Sequence, residues 1–269
     1  MQSKVRASLA FVLLSVGAIT AGPIPLTRVH AHNDYEHKRP LLDALDHGFC
    51  SVEADIYLVD GQLLVAHQRS EIRPERTLQA LYLDPLRERV KQNGGRVYPN
   101  GPEVTLLIDL KTDWTKIYPV LRGVLKQYAD MLVTFTNGVK QTNGVLAIIT
   151  GDRSKAMFDG ESIRYAALDG DLQDLNSDSK AELIPWISSQ WSETFRWRGN
   201  GDMPELEQQK LDDIVTRAHR QGRKVRFWGA PDRPPFWSEL LKHKVDLINT
   251  DDLEGAQKFL LENPAQLAR

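Results

Sequence analysis

Short apolar runs alternate with longer amphipathic stretches from residue 27 almost to the C-terminus. The run 104–110 is almost entirely apolar, as expected of a parallel strand that is buried on both faces. Residues 204–221 instead carry apolar side chains at helical spacing and stop at Gly222, a common residue after a helix. Strands that alternate with helices in this way predict a parallel α/β sheet.

The same pattern assigns the individual elements. Asp60-Gly61, between the second and third apolar runs, is a strong hairpin signal. We predict strands at 27–32, 51–58, 62–67, 104–110, 145–150, 165–168, 183–188, 225–229 and 245–250, and helices at 40–47, 77–92, 117–128, 204–221 and 252–262.

The chain has 269 residues and carries neither a long flexible linker nor an internal repeat, which fits one α/β domain. At this length a closed (β/α)8 TIM barrel is the first interpretation, and an open doubly wound sheet is the second. The absence of a G-x-G-x-x-G or P-loop motif disfavours an open nucleotide-binding sheet.

The N-terminus has the composition of an export signal. Lys4 and Arg6 precede an uncharged apolar run, which is followed by small residues near Ala21. The run is shorter than the roughly 20 residues that span a bilayer, so an uncleaved anchor is the weaker alternative. We therefore expect residues 1–21 to be a signal peptide, residues 22–269 to form the domain, and the mature protein to be exported, periplasmic or secreted.

Charge and cysteine content narrow the possible classes further. The 34 basic and 36 acidic residues give a formal net charge of −2, without the basic excess typical of nucleic-acid-binding proteins, so no nucleic-acid partner is expected. Cys50 is the single cysteine, so no intramolecular disulfide can form. Its apolar neighbours indicate a buried structural thiol rather than a reactive one.

Ionisable residues interrupt the apolar strands near their C-terminal ends, where barrel enzymes carry their active sites. Glu53 and Asp55 are two positions apart, as are Asp109 and Lys111, so each pair points to one side of its strand. A lone buried carboxylate is costly, and three together are better explained by a bound cation. Oxygen ligands favour Mg²⁺ or Ca²⁺ over zinc. The alternative is a structural network in which Lys111 or an arginine pairs with the two aspartates.

Two histidines flank this predicted metal site. His32 ends the first strand, and His67 ends the return strand of the hairpin. Imidazole groups suit acid–base chemistry near neutral pH. His30 is expected to be an ordinary hydrogen-bonded side chain.

Four features of this pattern occur in a fixed order: His32, Glu53-x-Asp55, Asp60-Gly61 and His67. Their order and spacing resemble the phospholipase C-like phosphodiesterase superfamily, which includes glycerophosphodiester phosphodiesterases and sphingomyelinase D-like enzymes. The segments 31–35 and 51–55 look closest to the altered-inheritance-of-mitochondria branch of that superfamily. The resemblance covers about residues 29–256.

The resemblance implies a (β/α)8 barrel and metal-dependent cleavage of a glycerophosphodiester or a phospholipid-type phosphodiester. Hydrolysis and internal attack that gives a cyclic phosphate both remain open. The implied partners are a small-molecule or lipid substrate and, transiently, a membrane surface. The resemblance implies that His32 and His67 are the acid–base pair. It implies that Glu53, Asp55 and Asp109 bind Mg²⁺ or Ca²⁺. The implied substrate contacts are Lys111, Trp228 and Asn249.

The chain also departs from the superfamily pattern. Asn33-Asp34 follows the first histidine, where glycerophosphodiesterases usually have Arg-Gly. Asp109-x-Lys111 is nearer the sphingomyelinase D pattern than the Glu-x-Lys that is frequent in glycerophosphodiesterases. The resemblance therefore leaves the substrate head group open.

Other functions compete with this interpretation. His30-x-His32 is similar to the paired first-strand ligands of amidohydrolase-type metal hydrolases, although the chain has no histidine between His67 and His219 to supply further ligands. A barrel that binds lipid or sugar phosphates without catalysis is another alternative. A metal-free phospholipase C is disfavoured by the three carboxylates.

Residues 186–197 are rich in aromatic side chains, among them Trp191 and Phe195. The segment follows a predicted strand, so it is a candidate lip over the barrel mouth. The alternative is a segment that packs against the barrel's own surface.

Overall fold

A computed structural model describes residues 22–264. The predicted signal peptide, residues 1–21, lies outside the described residues. Within 22–264, no helix combines the length and the apolar character that crossing a membrane requires.

Within the described residues, eight parallel strands form the core, and the first seven each pair with their neighbours along the chain. The last strand pairs with the first, and a bridge between Arg226 and Leu247 joins the seventh to the chain entering the eighth. The sheet is thus a closed barrel, as predicted, rather than an open doubly wound sheet. Its strands are β1 (Val29–Ala31), β2 (Ser51–Val59), β3 (Val104–Leu110), β4 (Val145–Gly151), β5 (Ala167–Gly170), β6 (Trp186–Gln190), β7 (Lys224–Trp228) and β8 (Ile248–Thr250).

Helices cover the outside of the barrel, but not evenly. After β4 and β5 the helical parts of the connections are 3-10 turns, Lys155–Phe158 and Leu172–Asn176. The predicted helix 77–92 begins with a π-helical turn, Gln79–Leu83, before it becomes α-helical. The α-helices are α1 (Leu42–Asp46), α2 (Asp84–Gln92), α3 (Trp114–Lys126), α4 (Trp191–Thr194), α5 (Glu205–Arg220), α6 (Pro234–Lys242) and α7 (Leu253–Glu262).

A β-hairpin extends β2 beyond the barrel. Asp60 and Gly61 both have positive φ (48° and 78°), as a two-residue type I′ turn requires, and the return strand Gln62–Val65 pairs with β2. Ala66 N–H donates to Asp55 O (3.2 Å), so the hairpin carries the chain back to the C-terminal end of the barrel. The predicted turn therefore places His67 beside Asp55.

Apolar side chains fill the lower half of the barrel and the layer between barrel and helices. In β3, Leu106 and Ile108 belong to the outer layer, whereas Leu107 lies inside, which explains why this run is continuously apolar. The thiol of Cys50 is buried as predicted, and burial raises its pKa to about 12. The inner cluster consists of Leu107, Val133, Phe135, Leu146, Ile148, Ala167, Trp186 and Leu247. Above it, the inward positions become polar.

A small antiparallel sheet precedes β4 and β5. Its strands are Thr134–Thr136, Val139–Gln141 and Ile163–Arg164, and Asn137-Gly138 forms the turn between the first two. Phe135 from this sheet joins the inner cluster of the barrel.

Candidate active site

Three carboxylates meet at the C-terminal end of β2 and β3. The register pairs Asp55 directly with Asp109, and Glu53 lies two positions earlier on the same face of β2. One oxygen of each of these residues lies within 4.8 Å of the others. The structure therefore brings together the three residues predicted to bind a metal ion.

Lys111 lies against this carboxylate cluster. Its Nζ is 2.9 Å from Asp55 Oδ2 and 2.8 Å from Asp109 Oδ2. The other oxygen of each aspartate, Oδ1, is buried without a hydrogen-bond partner in the part of the chain that the structure describes. Buried acceptors are normally paired, so the lysine alone does not satisfy the cluster. Two free carboxylate oxygens fit a bound cation.

The electrostatics of the cluster also favour a cation. Burial and the charges of Asp109 and Glu53 raise the pKa of Asp55 to about 6, and burial raises the pKa of Asp109. Burial would also raise the pKa of Glu53, but the hydrogen bond with His30 and the charge of Arg226 outweigh it and lower the pKa to about 2. A divalent ion would offset the repulsion among these carboxylates.

Asp251 holds the His32 ring through a hydrogen bond at Nδ1. Its Nδ1 lies 2.8 Å from Asp251 Oδ1, and its Nε2 lies 3.9 Å from Glu53 Oε2. Burial would lower the pKa of His32, but the hydrogen bond to Asp251 and the charge of Glu53 outweigh it and raise the pKa. The ring thus presents Nε2 to the carboxylate cluster.

His67 lies on the other side of the cluster, at the end of the hairpin. Its Nδ1 is 3.2 Å from Asp55 Oδ2 and 2.9 Å from the hydroxyl of Tyr35. Its side chain is 45% exposed, against 26% for His32. His67 is therefore the more open of the two histidines.

Two protein-family models match the chain. The model of the AIM6-like phosphodiesterase domain matches residues 18–164, more than half of the chain. The chain belongs to the AIM6-like phosphodiesterase family. A second model, of the glycerophosphoryl diester phosphodiesterase family, matches residues 224–254. Both matches confirm the resemblance to phospholipase C-like phosphodiesterases.

Two fungal relatives are similar to most of this chain. Altered inheritance of mitochondria protein 6 of Eremothecium gossypii is 32% identical over 91% of this chain and 72% of its own length. The homolog from Arthroderma benhamiae is 29% identical over 90% of this chain and 86% of its own length. The crystal structure of a glycerophosphodiester phosphodiesterase from Parabacteroides distasonis superposes with a TM-score of 0.53 at 13% identity, covering 91% of this chain and all of that one. This likeness shows the barrel fold.

Arg226 lies in the candidate site and was not predicted from the sequence. It lies in β7, is 3% exposed, and its Nη1 is 4.0 Å from Glu53 Oε2. The same guanidinium donates to Asn249 Oδ1 (3.0 Å), Ser188 Oγ (3.2 Å) and Asp169 Oδ2 (3.3 Å). Asn249, predicted to contact substrate, is thus placed beside Arg226. A charged residue inside the apolar run 225–229 was the signal that could have identified Arg226.

Tyr35 and Asp251 were also missed. Each lies just beyond a barrel strand and contacts one of the two histidines, Tyr35 with His67 and Asp251 with His32. Burial and the adjacent Asp55 carboxylate raise the pKa of the Tyr35 hydroxyl, which therefore keeps its proton. Asp251 directly follows the predicted strand 245–250, so its position at a strand end was the available signal.

His30 is fully buried and hydrogen-bonded, as expected. Its Nδ1 lies 2.7 Å from Ser51 Oγ and its Nε2 lies 3.4 Å from Glu53 Oε2. Burial lowers its pKa to about 4, so the ring is neutral. Because both ring nitrogens are engaged, His30 and His32 do not form the paired ligands of an amidohydrolase-type centre.

Of the two alternatives for the aromatic segment, the structure shows packing against the barrel's own surface and not a lip over its mouth. Trp191 is fully buried, stacks on Phe195 (4.2 Å between centroids) and meets Phe227 and Phe236 edge to face. Packing against the outer face of β7 removes more apolar surface from water than a lip would. The exposed aromatic residue at the mouth is instead Trp228, which ends β7 and is 39% exposed.

Proposed function

We propose that the chain is a metal-dependent phosphodiester hydrolase that cleaves a glycerophosphodiester or phospholipid-type substrate by histidine acid–base catalysis. One observation carries the proposal: His32 lies beside Glu53 and His67 beside Asp55, at one cluster of three carboxylates. Membership of a phosphodiesterase family and the barrel fold support the reaction class.

Glu53, Asp55 and Asp109 would hold Mg²⁺ or Ca²⁺. Around this point four carboxylates, those three and Asp169, face two cations, Lys111 and Arg226, which leaves an excess of two negative charges when all are ionised. The two unpartnered aspartate oxygens supply ligand atoms for a hard cation. When bound, such an ion neutralises charge on the phosphoryl group and orients it.

Lys111 adds a second positive charge at the cluster. Burial would lower its pKa, but the charges of Asp109 and Asp55 outweigh it and raise the pKa, so the amine stays protonated. A fixed ammonium beside the phosphoryl oxygens stabilises the charge that develops on them in the transition state.

The histidines would divide the proton transfers between them. His32, with Nδ1 directed to Asp251, offers Nε2 as the base that activates the attacking oxygen. His67, which is more exposed, would protonate the leaving alcohol at the barrel mouth, where Trp228 forms part of the wall. If the substrate carries a neighbouring hydroxyl, that hydroxyl would attack in place of water. Phosphorus NMR of the early products distinguishes the two routes, because only internal attack gives a cyclic phosphate.

The experiment that tests the proposal is hydrolysis of bis(p-nitrophenyl) phosphate by the mature protein, first with EDTA and then with added Mg²⁺ or Ca²⁺. We expect turnover that requires the metal and falls by at least about 100-fold in His32→Ala, since general acid–base catalysis contributes roughly 10²–10⁴-fold. The control is His219→Ala, which removes a histidine that pairs with Asp246 at the opposite end of the barrel.

Equal loss of turnover in both variants would contradict the assigned role of His32. Tight metal binding without turnover of this ester, glycerophosphodiesters or phospholipids would favour the non-catalytic binding barrel instead.

A further inference from the structure

Tyr35 contacts two residues of the proposed active site, Asp55 and His67, but the proposed mechanism assigns it no role. The residue is 3% exposed, and its ring stacks on the imidazole of His67 with 6.2 Å between centroids and 16° between planes. Its hydroxyl lies 2.6 Å from Asn33 Oδ1, 2.8 Å from Asp55 Oδ2 and 2.9 Å from His67 Nδ1. The side chain thus joins the loop after β1 to a carboxylate of the cluster and to the exposed histidine.

The number of protons in this arrangement decides the direction of its hydrogen bonds. A phenol has one proton to donate. Asn33 Oδ1 and the ionised Asp55 Oδ2 are oxygens that only accept, and both lie closer to the hydroxyl than His67 Nδ1 does. Whichever oxygen receives the proton, none remains for the imidazole. His67 Nδ1 must therefore carry the hydrogen of its own contact with the hydroxyl.

We propose that Tyr35 is a positioning residue that keeps the single hydrogen of the neutral His67 ring on Nδ1, so that the proton which the ring takes up before catalysis lies on Nε2, where it can pass to the leaving alcohol. The kinetic consequence rests on the proposed function, whereas the tautomer is a property of the folded protein. His32 is held in the same way, since its Nδ1 meets Asp251. The two histidines would thus each present Nε2.

Asp55 alone does not hold the ring as firmly. Its Oδ2 is already 2.9 Å from Lys111 Nζ and 2.8 Å from the Tyr35 hydroxyl, and its contact with His67 Nδ1, at 3.2 Å, is the longest of the three. Because nearly half of the His67 side chain is exposed, packing does little to fix it. The stacked tyrosine and its hydroxyl supply what packing does not.

The first test is nitrogen-15 NMR of histidine-labelled protein without substrate, at alkaline pH where the ring is neutral, with His67→Gln to assign the signals. We expect a single Nδ1–H tautomer at His67 in the wild type. In Tyr35→Phe, which keeps the stacked ring and removes only the hydroxyl, we expect a shift toward the Nε2–H tautomer that free histidine prefers. The control is Tyr128→Phe. In the wild type, the Tyr128 hydroxyl donates to Asp84 Oδ1 on the outer surface (2.6 Å).

The second test is kinetic. Side chains that hold site residues from behind typically contribute about 10–100-fold to metal affinity or activity, so Tyr35→Phe should lower kcat, measured at saturating metal, by that factor while KM changes little. Tyr128→Phe should leave kcat unchanged. An Nε2–H tautomer in the wild type, or a Tyr35→Phe protein with unchanged tautomer and kcat, would overturn the proposal. If the wild type turns over no phosphodiester, the proposed function fails, and the NMR result still decides the role of Tyr35.

Discussion

At the scale of single residues, Asp34 is a buried acid outside the carboxylate cluster, and the folded protein opposes its ionisation. It is fully buried, and its Oδ2 accepts hydrogen bonds from Leu41 N–H (2.5 Å) and the Tyr82 hydroxyl (2.8 Å). Its Oδ1 has no partner within residues 22–264. Burial raises its pKa from 3.8 to about 7. The folded state therefore holds this proton more tightly than the unfolded state does.

Because the folded pKa of Asp34 lies above the unfolded one, its contribution to stability is complete below the unfolded pKa and is lost as pH rises through the folded pKa. Asp34→Asn removes that dependence. Relative to wild type, the free energy of unfolding of Asp34→Asn should therefore rise by roughly 1.4 kcal/mol per pH unit between about pH 4 and 7 and then level off. Urea denaturation across this range measures the difference. Asp178→Asn, at an exposed carboxylate, is the control; a flat difference for Asp34→Asn would refute the assignment.

Gly151 determines the position of one proposed metal ligand. It ends β4 with φ of 76°, and a Cβ at this position would overlap Asp109 Oδ1 and lie 2.6 Å from Leu110 O. Gly160 offers a matched control, because its φ is 77° and no described atom lies within 4 Å of an added Cβ. Both alanine variants should lose about 1–2 kcal/mol of stability from the left-handed backbone, and Gly151→Ala should lose more because its Cβ also overlaps the Leu110 backbone.

Only Gly151→Ala should also weaken Mg²⁺ or Ca²⁺ binding, because it displaces the Asp109 carboxylate. Calorimetric titration of each metal into both variants measures this, and an unchanged affinity in Gly151→Ala would exclude Asp109 as a ligand.

The residues of the site differ in how far the sequence could predict them. Glu53, Asp55, Asp109 and Lys111 could be proposed because charged residues two apart in apolar strands share one face. Arg226 carries the same signal more weakly, because the charge two positions before it, Lys224, lies outside the predicted strand 225–229. The contacts of Tyr35 could not be predicted, because they depend on a left-handed Asn33 (φ 48°), even though the hairpin that returns His67 to the same place was predicted.

At the scale of elements, turn chemistry was the most informative signal where it was used. Asp60-Gly61 predicted the hairpin after β2, whereas the equivalent signal at Asn137-Gly138 marks a second hairpin that was not predicted. Helix α6 was missed because it begins at Pro234-Pro235. A proline pair resembles a break, although proline is well tolerated in the first turn of a helix. None of the predicted helices falls between β4 and β6, where the structure has 3-10 turns.

At the scale of the whole molecule, barrel closure assembles the site from distant parts of the chain. The carboxylates come from β2 and β3, whereas Arg226 lies in β7 and Asp251 follows β8. The sequence predicts the barrel from the alternation of strands and helices together with the chain length, but closure fixes which strand ends face each other. The unfolded chain lacks this arrangement, so a metal ion that binds the cluster should stabilise the folded state selectively.

Binding to the folded state alone adds about 2.7 kcal/mol at a metal concentration 100 times Kd. Mg²⁺ or Ca²⁺ should therefore raise the thermal midpoint of the wild type by several degrees, measured by circular dichroism against NaCl of matched ionic strength. The thermal midpoint of Asp109→Asn should respond differently to the metal, because this variant lacks one of the three proposed ligands. Without metal it should melt at or above the wild type, because the raised pKa of Asp109 shows that its charge is unfavourable in the folded state. With metal it should gain little, so the order of the two midpoints reverses; equal gains in both proteins would mean that the ion binds elsewhere.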